Sequence, residues 1–137
     1  MWSQKEIVLR PQKRGIHLVT NEILQELQPL PEVGLLNLFI KHTSAALSIN
    51  ENADPSVRTD MEFILDKLVP DDDPNYIHTD EGPDDASSHT KTSIIGPSLT
   101  LPITNGHLNL GTWQGIYLLE FREYRTPRHV IATITGD

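Results

Sequence analysis

The chain has 137 residues, no cysteine and a net charge of −8. That length makes one domain around one core the expectation, and the missing thiols remove thiolate metal sites and cysteine nucleophiles, leaving only histidine and carboxylate chemistry. The acidic balance excludes non-specific binding to nucleic acid or to an anionic membrane surface, both of which depend on an excess of Lys and Arg.

The opening MWSQKEIVLR carries neither a long apolar run nor a small-residue cleavage site, so the expectation is a cytoplasmic protein with no membrane partner. EIVLR and GIHLVT are β-branched and separated by PQKR, which predicts two strands joined by a turn. NEILQEL places Ile23, Leu24 and Leu27 on one helical face behind Thr20 or Asn21 as a cap, and Pro29 and Pro31 end that helix. From Gly34 to Ile40 the run is apolar on both alternating faces, the pattern of a central strand, and by that alternation His42 follows Ile40.

Asp54-Pro55 is a helix start, a carboxylate cap followed by proline at the first helical position. Val57, Met61, Ile64, Leu65 and Leu68 then form a stripe at helical spacing that Pro70 closes. Asp71 to His89 has almost no apolar content and exceeds an ordinary connection, as functional or disordered loops do. HTKTSIIG predicts one or two helical turns ending at Gly96. SLTLPI and HLNL flank Thr-Asn-Gly as a hairpin, and GTWQGIYLLEFREY and RHVIATIT flank RTP as a second one. The sum is a single-domain α+β chain, an antiparallel β-rich sandwich or partial barrel with a few packed helices.

Among the histidines, His17, His107 and His129 sit in strand or hairpin patterns where imidazole is usually a packing residue. His42, His78 and His89 end a strand, occupy the polar loop and open the following segment; their separations of 36 and 11 match no compact zinc motif. Glu51, Asp54, Asp80, Glu81, Asp84 and Asp85 surround them in sequence and suit either metal ligation and support of imidazoles or a solvated acidic loop. Thr43-Ser44 and Lys91-Thr92-Ser93 offer hydroxyls, an ammonium and amides to a phosphate, though such clusters are also ordinary turn and cap residues. Trp113 and Gln114, between Gly111 and Gly115, suit a subunit contact or the floor of a pocket, with the indole stacking on an aromatic ring.

Taken together, HTSAALSINENADP, NYIH followed by EGPDDASSHTK, IIGPSLTLP and GTWQGI, in this order, are similar to the YjbQ-like family of small proteins, also called secondary thiamine-phosphate synthases. The resemblance runs from Met1 to Asp137. It implies an antiparallel domain with packed helices that assembles as a homotrimer, with a divalent metal, zinc or magnesium, near a subunit interface. The implied metal ligands fall on His42, His78 and His89 and the implied catalytic groups on Glu51, Asp54, Asp85 and Gln114. Thr43, Ser44, Lys91 and Trp113 take the place of substrate-binding groups.

The implied activity couples a hydroxymethylpyrimidine diphosphate to a thiazole phosphate with loss of pyrophosphate, so the expected partner is a phosphorylated small molecule. A metal-dependent hydrolase of a phosphate ester or amide uses the same groups. So does a non-catalytic, metal-stabilised oligomeric binding module.

Overall fold

The computed structural model describes residues 1–137, built as two antiparallel sheets and three helices. In chain order the elements are β1 (Trp2–Leu9), β2 (Gly15–Leu18), α1 (Thr20–Leu24), β3 (Val33–Ile40), β4 (Ala45–Glu51), α2 (Pro55–Leu68), α3 (Asp85–Ile95), β5 (Ser98–Thr104), β6 (His107–Leu108), β7 (Gln114–Glu120) and β8 (Arg128–Gly136). One sheet has the order β1-β8-β3-β5-β6 and the other β2-β7-β4. The α+β class with a sandwich or partial barrel follows as expected. No helix is long and apolar enough to cross a membrane.

The three-stranded sheet is the middle layer. Ile116 and Leu118 of β7, with Ala45 and Leu47 of β4, face Leu36, Leu38, Ile40, Ile7 and Val130 of the larger sheet. Tyr117, Leu119 and Ala46 point the other way and meet Ile16, Leu65 and Phe121, with Met61 of α2 and Ile95 at the end of α3 packed against them. A strand covered on both sides needs apolar residues at both parities, and IYLLE supplies them. β3 has the same kind of run but lies in the larger sheet: Leu36, Leu38 and Ile40 are buried while Leu35 and Phe39 are 47% and 44% exposed on the uncovered face.

Two local signals hold and one does not: neither Thr20 nor Asn21 caps α1, which begins at Thr20 without a side-chain cap, because Thr20 Oγ1 accepts the Ile116 N–H of β7 at 2.8 Å. Asp54 caps α2 by accepting the Ser56 N–H at 2.9 Å, with Pro55 in the first turn. Asn105 and Gly106 turn β5 into β6 with φ of 53° and 78°. Of the α2 stripe only Leu65 is buried; Ile64 and Leu68 face solvent, so the helix rides on the sheet along a narrow line.

Two expectations are corrected and one element is added. AALSINE, to which the sequence pattern assigns no element, is strand β4, paired from Ala45↔Glu120 to Glu51↔Gln114 with β7. The β7 and β8 segments do not form a hairpin, because they belong to different sheets and Phe121–Pro127 crosses between them. Helix α3 begins at Asp85, four residues before the His89 that opens HTKTSIIG, since the carboxylates of Asp84 and Asp85 are tied to Arg122 and suit the positive end of a helix.

At the far edge, β3 and β8 pair Gly34 with Gly136. A Cβ on Gly34 would stand 2.2 Å from the Thr135 carbonyl oxygen and 2.9 Å from Gly136 Cα, both backbone atoms that cannot move aside alone. Gly34→Ala is expected to lose about 1–3 kcal/mol through forced separation of these strands, read as a lower urea midpoint; a midpoint equal to the parent's would contradict the close approach.

Candidate functional site

Three elements converge on one cleft of about 520 Å³ lined by His42, Thr43, His78, His89, Thr92, Ser93 and Pro97. The β3–β4 connection supplies His42 and Thr43, the loop after α2 supplies His78, and α3 supplies the rest up to Ser93. Asp85 and His89 are four residues apart in α3 and therefore share a face.

The converging group is His78, Asp85 and His89, whose ligand atoms lie within 4.8 Å of one another. His89 is aimed by its Nδ1, which is 2.7 Å from the Thr43 carbonyl oxygen and so donates to it, leaving the Nε2 lone pair 3.2 Å from Asp85 Oδ1. His78 Nε2 lies 2.8 Å from Asp85 Oδ2, yet that oxygen, buried and aimed at the imidazoles, has no hydrogen bond. At that separation the ring N–H direction and Oδ2 are out of hydrogen-bonding line, which leaves the oxygen open to a ligand shared with the imidazoles. Two imidazole nitrogens and a carboxylate oxygen are a donor set suited to zinc and its neighbours.

Beneath the cluster, Asp85 is 1% exposed and its Oδ1 accepts from Arg122 Nη1 at 2.5 Å. Arg122 Nε donates to Asp84 Oδ2 at 3.1 Å, so guanidinium and Asp84 cancel formally and Asp85 leaves one surplus negative charge facing the histidines.

His42 lines the cleft but stands outside this group. Its Nε2 accepts the main-chain N–H of His129 at 2.8 Å, so only Nδ1 is left for a ligand. Burial, followed by the proximity of Arg128, His129 and Lys41, lowers its pKa and keeps the ring neutral at pH 7. His129, read from sequence as a packing residue, is brought next to it by the β3–β8 register, the rings 5.8 Å apart and its Nδ1 2.8 Å from Glu6 Oε2. Nothing in the spacing of residues 42 and 129 signals that pairing.

The other sequence-derived candidates fall elsewhere. β4 carries the chain about 20 Å between Ser44 and Glu51, so Glu51 and Asp54 are not brought to the histidines of the same chain. The Glu51 carboxylate instead accepts the Ala53 and Asp54 amides, and Asp54 caps α2. Trp113 and Gln114 share that far end, the indole 64% exposed and Gln114 Oε1 accepting from Gly111. Lys91 is 1% exposed, with its ammonium 2.5 Å from Asp66, and is unavailable to a substrate; its neighbours Thr92 and Ser93 do line the cleft. Because α3 starts at Asp85, residues 91–93 lie in its later turns rather than at a start with free amides. Ser44 faces inward and accepts from Arg128 Nη2 at 3.0 Å, whereas Thr43 reaches the cleft. Sequence reasoning passed over Arg122 and Arg128, whose only sign was charge beside a strongly apolar strand.

The family model described as UPF0047 protein YjbQ-like matches residues 5–137. The UPF0047 protein YjbQ of Salmonella typhimurium is 52% identical, with both chains covered in full. The crystal structure of an uncharacterized YjbQ/UPF0047 family protein from Clostridium acetobutylicum superposes with a TM-score of 0.81 at 36% identity, over 96% of this chain and 99% of that one. A YbjQ-like protein of unknown function from Sulfolobus solfataricus P2, at 22% identity, shares the fold with a TM-score of 0.86 over 100% and 99% of the two chains. A family model spanning nearly the whole chain, with a relative identical at half of its positions, settles the membership: the chain belongs to the UPF0047 YjbQ-like family.

Proposed function

We propose that His78, Asp85 and His89 hold a divalent metal and that the cleft above them works on a phosphorylated small molecule in a thiamine-phosphate synthase-like coupling. The observation that carries the metal reading is Asp85 Oδ2, buried without a hydrogen bond and 2.8 Å from His78 Nε2. The coupling itself comes from the family resemblance. When bound, the metal would supply positive charge to a departing phosphate group.

In the coupling, the methylene carbon–oxygen bond of the pyrimidine diphosphate breaks and its electron pair leaves on pyrophosphate, while the thiazole ring nitrogen forms the new carbon–nitrogen bond. The chain's own part is to orient and donate. Neutral His42, through Nδ1–H, with the hydroxyls of Thr43, Thr92 and Ser93, can donate to phosphate oxygens without adding negative charge. Asp84, Asp85 and the exposed Glu81 carboxylate, 3.9 Å from Arg122, leave two surplus negative charges beside that guanidinium, which a divalent ion would neutralise, lifting the local repulsion of an anionic substrate despite the chain's net charge of −8.

Association of subunits, a homotrimer by resemblance, is supported by the uncovered face of the larger sheet, where Leu35 and Phe39 are exposed.

A second reading, hydrolysis of a phosphate ester or amide, is favoured by one observation: no Phe, Tyr or Trp lines the cleft to stack on a pyrimidine. The test incubates the protein with hydroxymethylpyrimidine diphosphate and thiazole phosphate, with zinc or magnesium, and follows thiamine phosphate and pyrophosphate together. Coupling is expected to vanish on chelation and in His78→Ala with His89→Ala, and to return when metal is restored to the parent chain. Absence of product under every metal, with ester or amide cleavage present, would transfer the assignment to the hydrolase.

A further inference from the structure

We propose that Arg122 is a positioning residue, fixing the oxygen of Asp85 and the loop that together face the metal; this rests on the metal reading above. Its guanidinium is 5% exposed and uses each nitrogen on a different residue of the stretch from Glu81 to Asp85: Nε on Asp84 Oδ2 at 3.1 Å, Nη1 on Asp85 Oδ1 at 2.5 Å and Nη2 on the Glu81 carbonyl oxygen at 2.9 Å. The Tyr124 ring stacks against it, 4.7 Å from Cζ to the centroid.

A carboxylate held at one oxygen cannot rotate freely. With Oδ1 fixed on the fork, Oδ2 is left turned toward His78 with nothing to bond. The bond to Glu81 ties down the loop three residues after His78, so one side chain sets the relative position of two groups that sequence holds seven residues apart. A lysine in its place would keep the charge but lose the planar fork, which is why the residue type matters here.

Simple electrostatics points the other way. A guanidinium beside a cation site repels the cation, so removing it should tighten binding if charge were its whole contribution. Asp84 cancels most of that repulsion, and what remains of Arg122 is geometry. The two accounts therefore predict opposite signs.

The experiment measures zinc affinity of the full chain by competition with a chromophoric chelator, for the parent, Arg122→Gln, Arg122→Lys and Asp85→Asn, beside the melting curve of each in a chelator. Arg122→Gln is expected to bind zinc about 10–100-fold more weakly, with Arg122→Lys between it and the parent. Equal or tighter binding by Arg122→Gln overturns the role of Arg122 while leaving the metal site in place. Should Arg122→Gln fail to fold, Arg122→Lys decides alone: several-fold weaker binding supports positioning, and affinity equal to the parent's overturns it. A parent that binds no zinc overturns the metal reading and this one with it.

Discussion

Replacing Asp85 by asparagine is expected to weaken zinc binding by more than about 100-fold, beyond the range seen when a group merely orients a ligand, and to do so without lowering the melting temperature of the metal-free protein. The two halves of this outcome have one cause. Asp85 Oδ2 is buried and has no hydrogen-bonding partner in the protein, and an atom left so without a ligand costs about 1–3 kcal/mol. An asparagine keeps a carbonyl oxygen for Arg122 Nη1 and places an amide N–H against His78 Nε2, so the polar atoms are satisfied and the surplus negative charge is gone. A residue selected for packing loses stability when changed; one that holds an unsatisfied atom for a ligand loses only the ligand. Titrating zinc into both proteins while following unfolding reads both quantities. If Asp85→Asn melts well below the parent in chelator and still binds zinc, Asp85 is a structural anchor and the site must be redrawn.

The second large effect is on stability. Glu120→Ala is expected to cost about 3–5 kcal/mol, out of a total of about 5–15 kcal/mol for a domain, and to lower the midpoint of thermal unfolding by about 10–20 °C. Glu120 and Arg128 are 1% and 3% exposed and face each other through two contacts, Arg128 Nε donating to Oε1 at 2.7 Å and Nη2 bonding Oε2. Removing one partner strands the other charge in the interior. Replacing both, Glu120→Leu with Arg128→Met, is expected to recover most of the loss, because the penalty belongs to the orphaned charge rather than to the missing attraction. The double variant should nevertheless bind zinc less well than the parent, since Arg128 also holds Ser44 through its carbonyl and hydroxyl oxygens, and the neighbouring Thr43 carbonyl aims His89. A single variant that loses less than about 1 kcal/mol would show that the pair is solvated in solution.

The contrast between what was legible in the sequence and what was not follows the range of the interactions. Asp54 and Pro55 announced α2 because the cap bonds a residue two positions away, and Asn105-Gly106 announced its turn because the required φ is a property of those residues alone. His42, His78 and His89 were singled out by the company they keep, and all three do line one cleft. β4 escaped notice because Ala, Ser and Asn give a weak strand signal, and a strand covered on both faces has no alternation to detect. That single omission misplaced Glu51 and Asp54 by the length of a strand. Lys91 was read as a phosphate ligand because a buried lysine and an exposed one are spelled alike; its partner Asp66 lies 25 residues upstream. Arg122 and Arg128 depend on partners that only the meeting of the two sheets with α3 brings near.

The three proposed ligands are not held alike. Asp85 and His89 sit on one helix, clamped by Arg122 and by the Thr43 carbonyl, whereas His78 is 62% exposed on a loop. Entry and exit of an ion would then be ordered in time: first capture by the rigid pair, then closure by His78, and on release the reverse. The slow step of exchange would then be the departure of His78 from the pair, so an added glycine beside His78 should speed the handover of metal to a competing chelator far more than it changes the affinity.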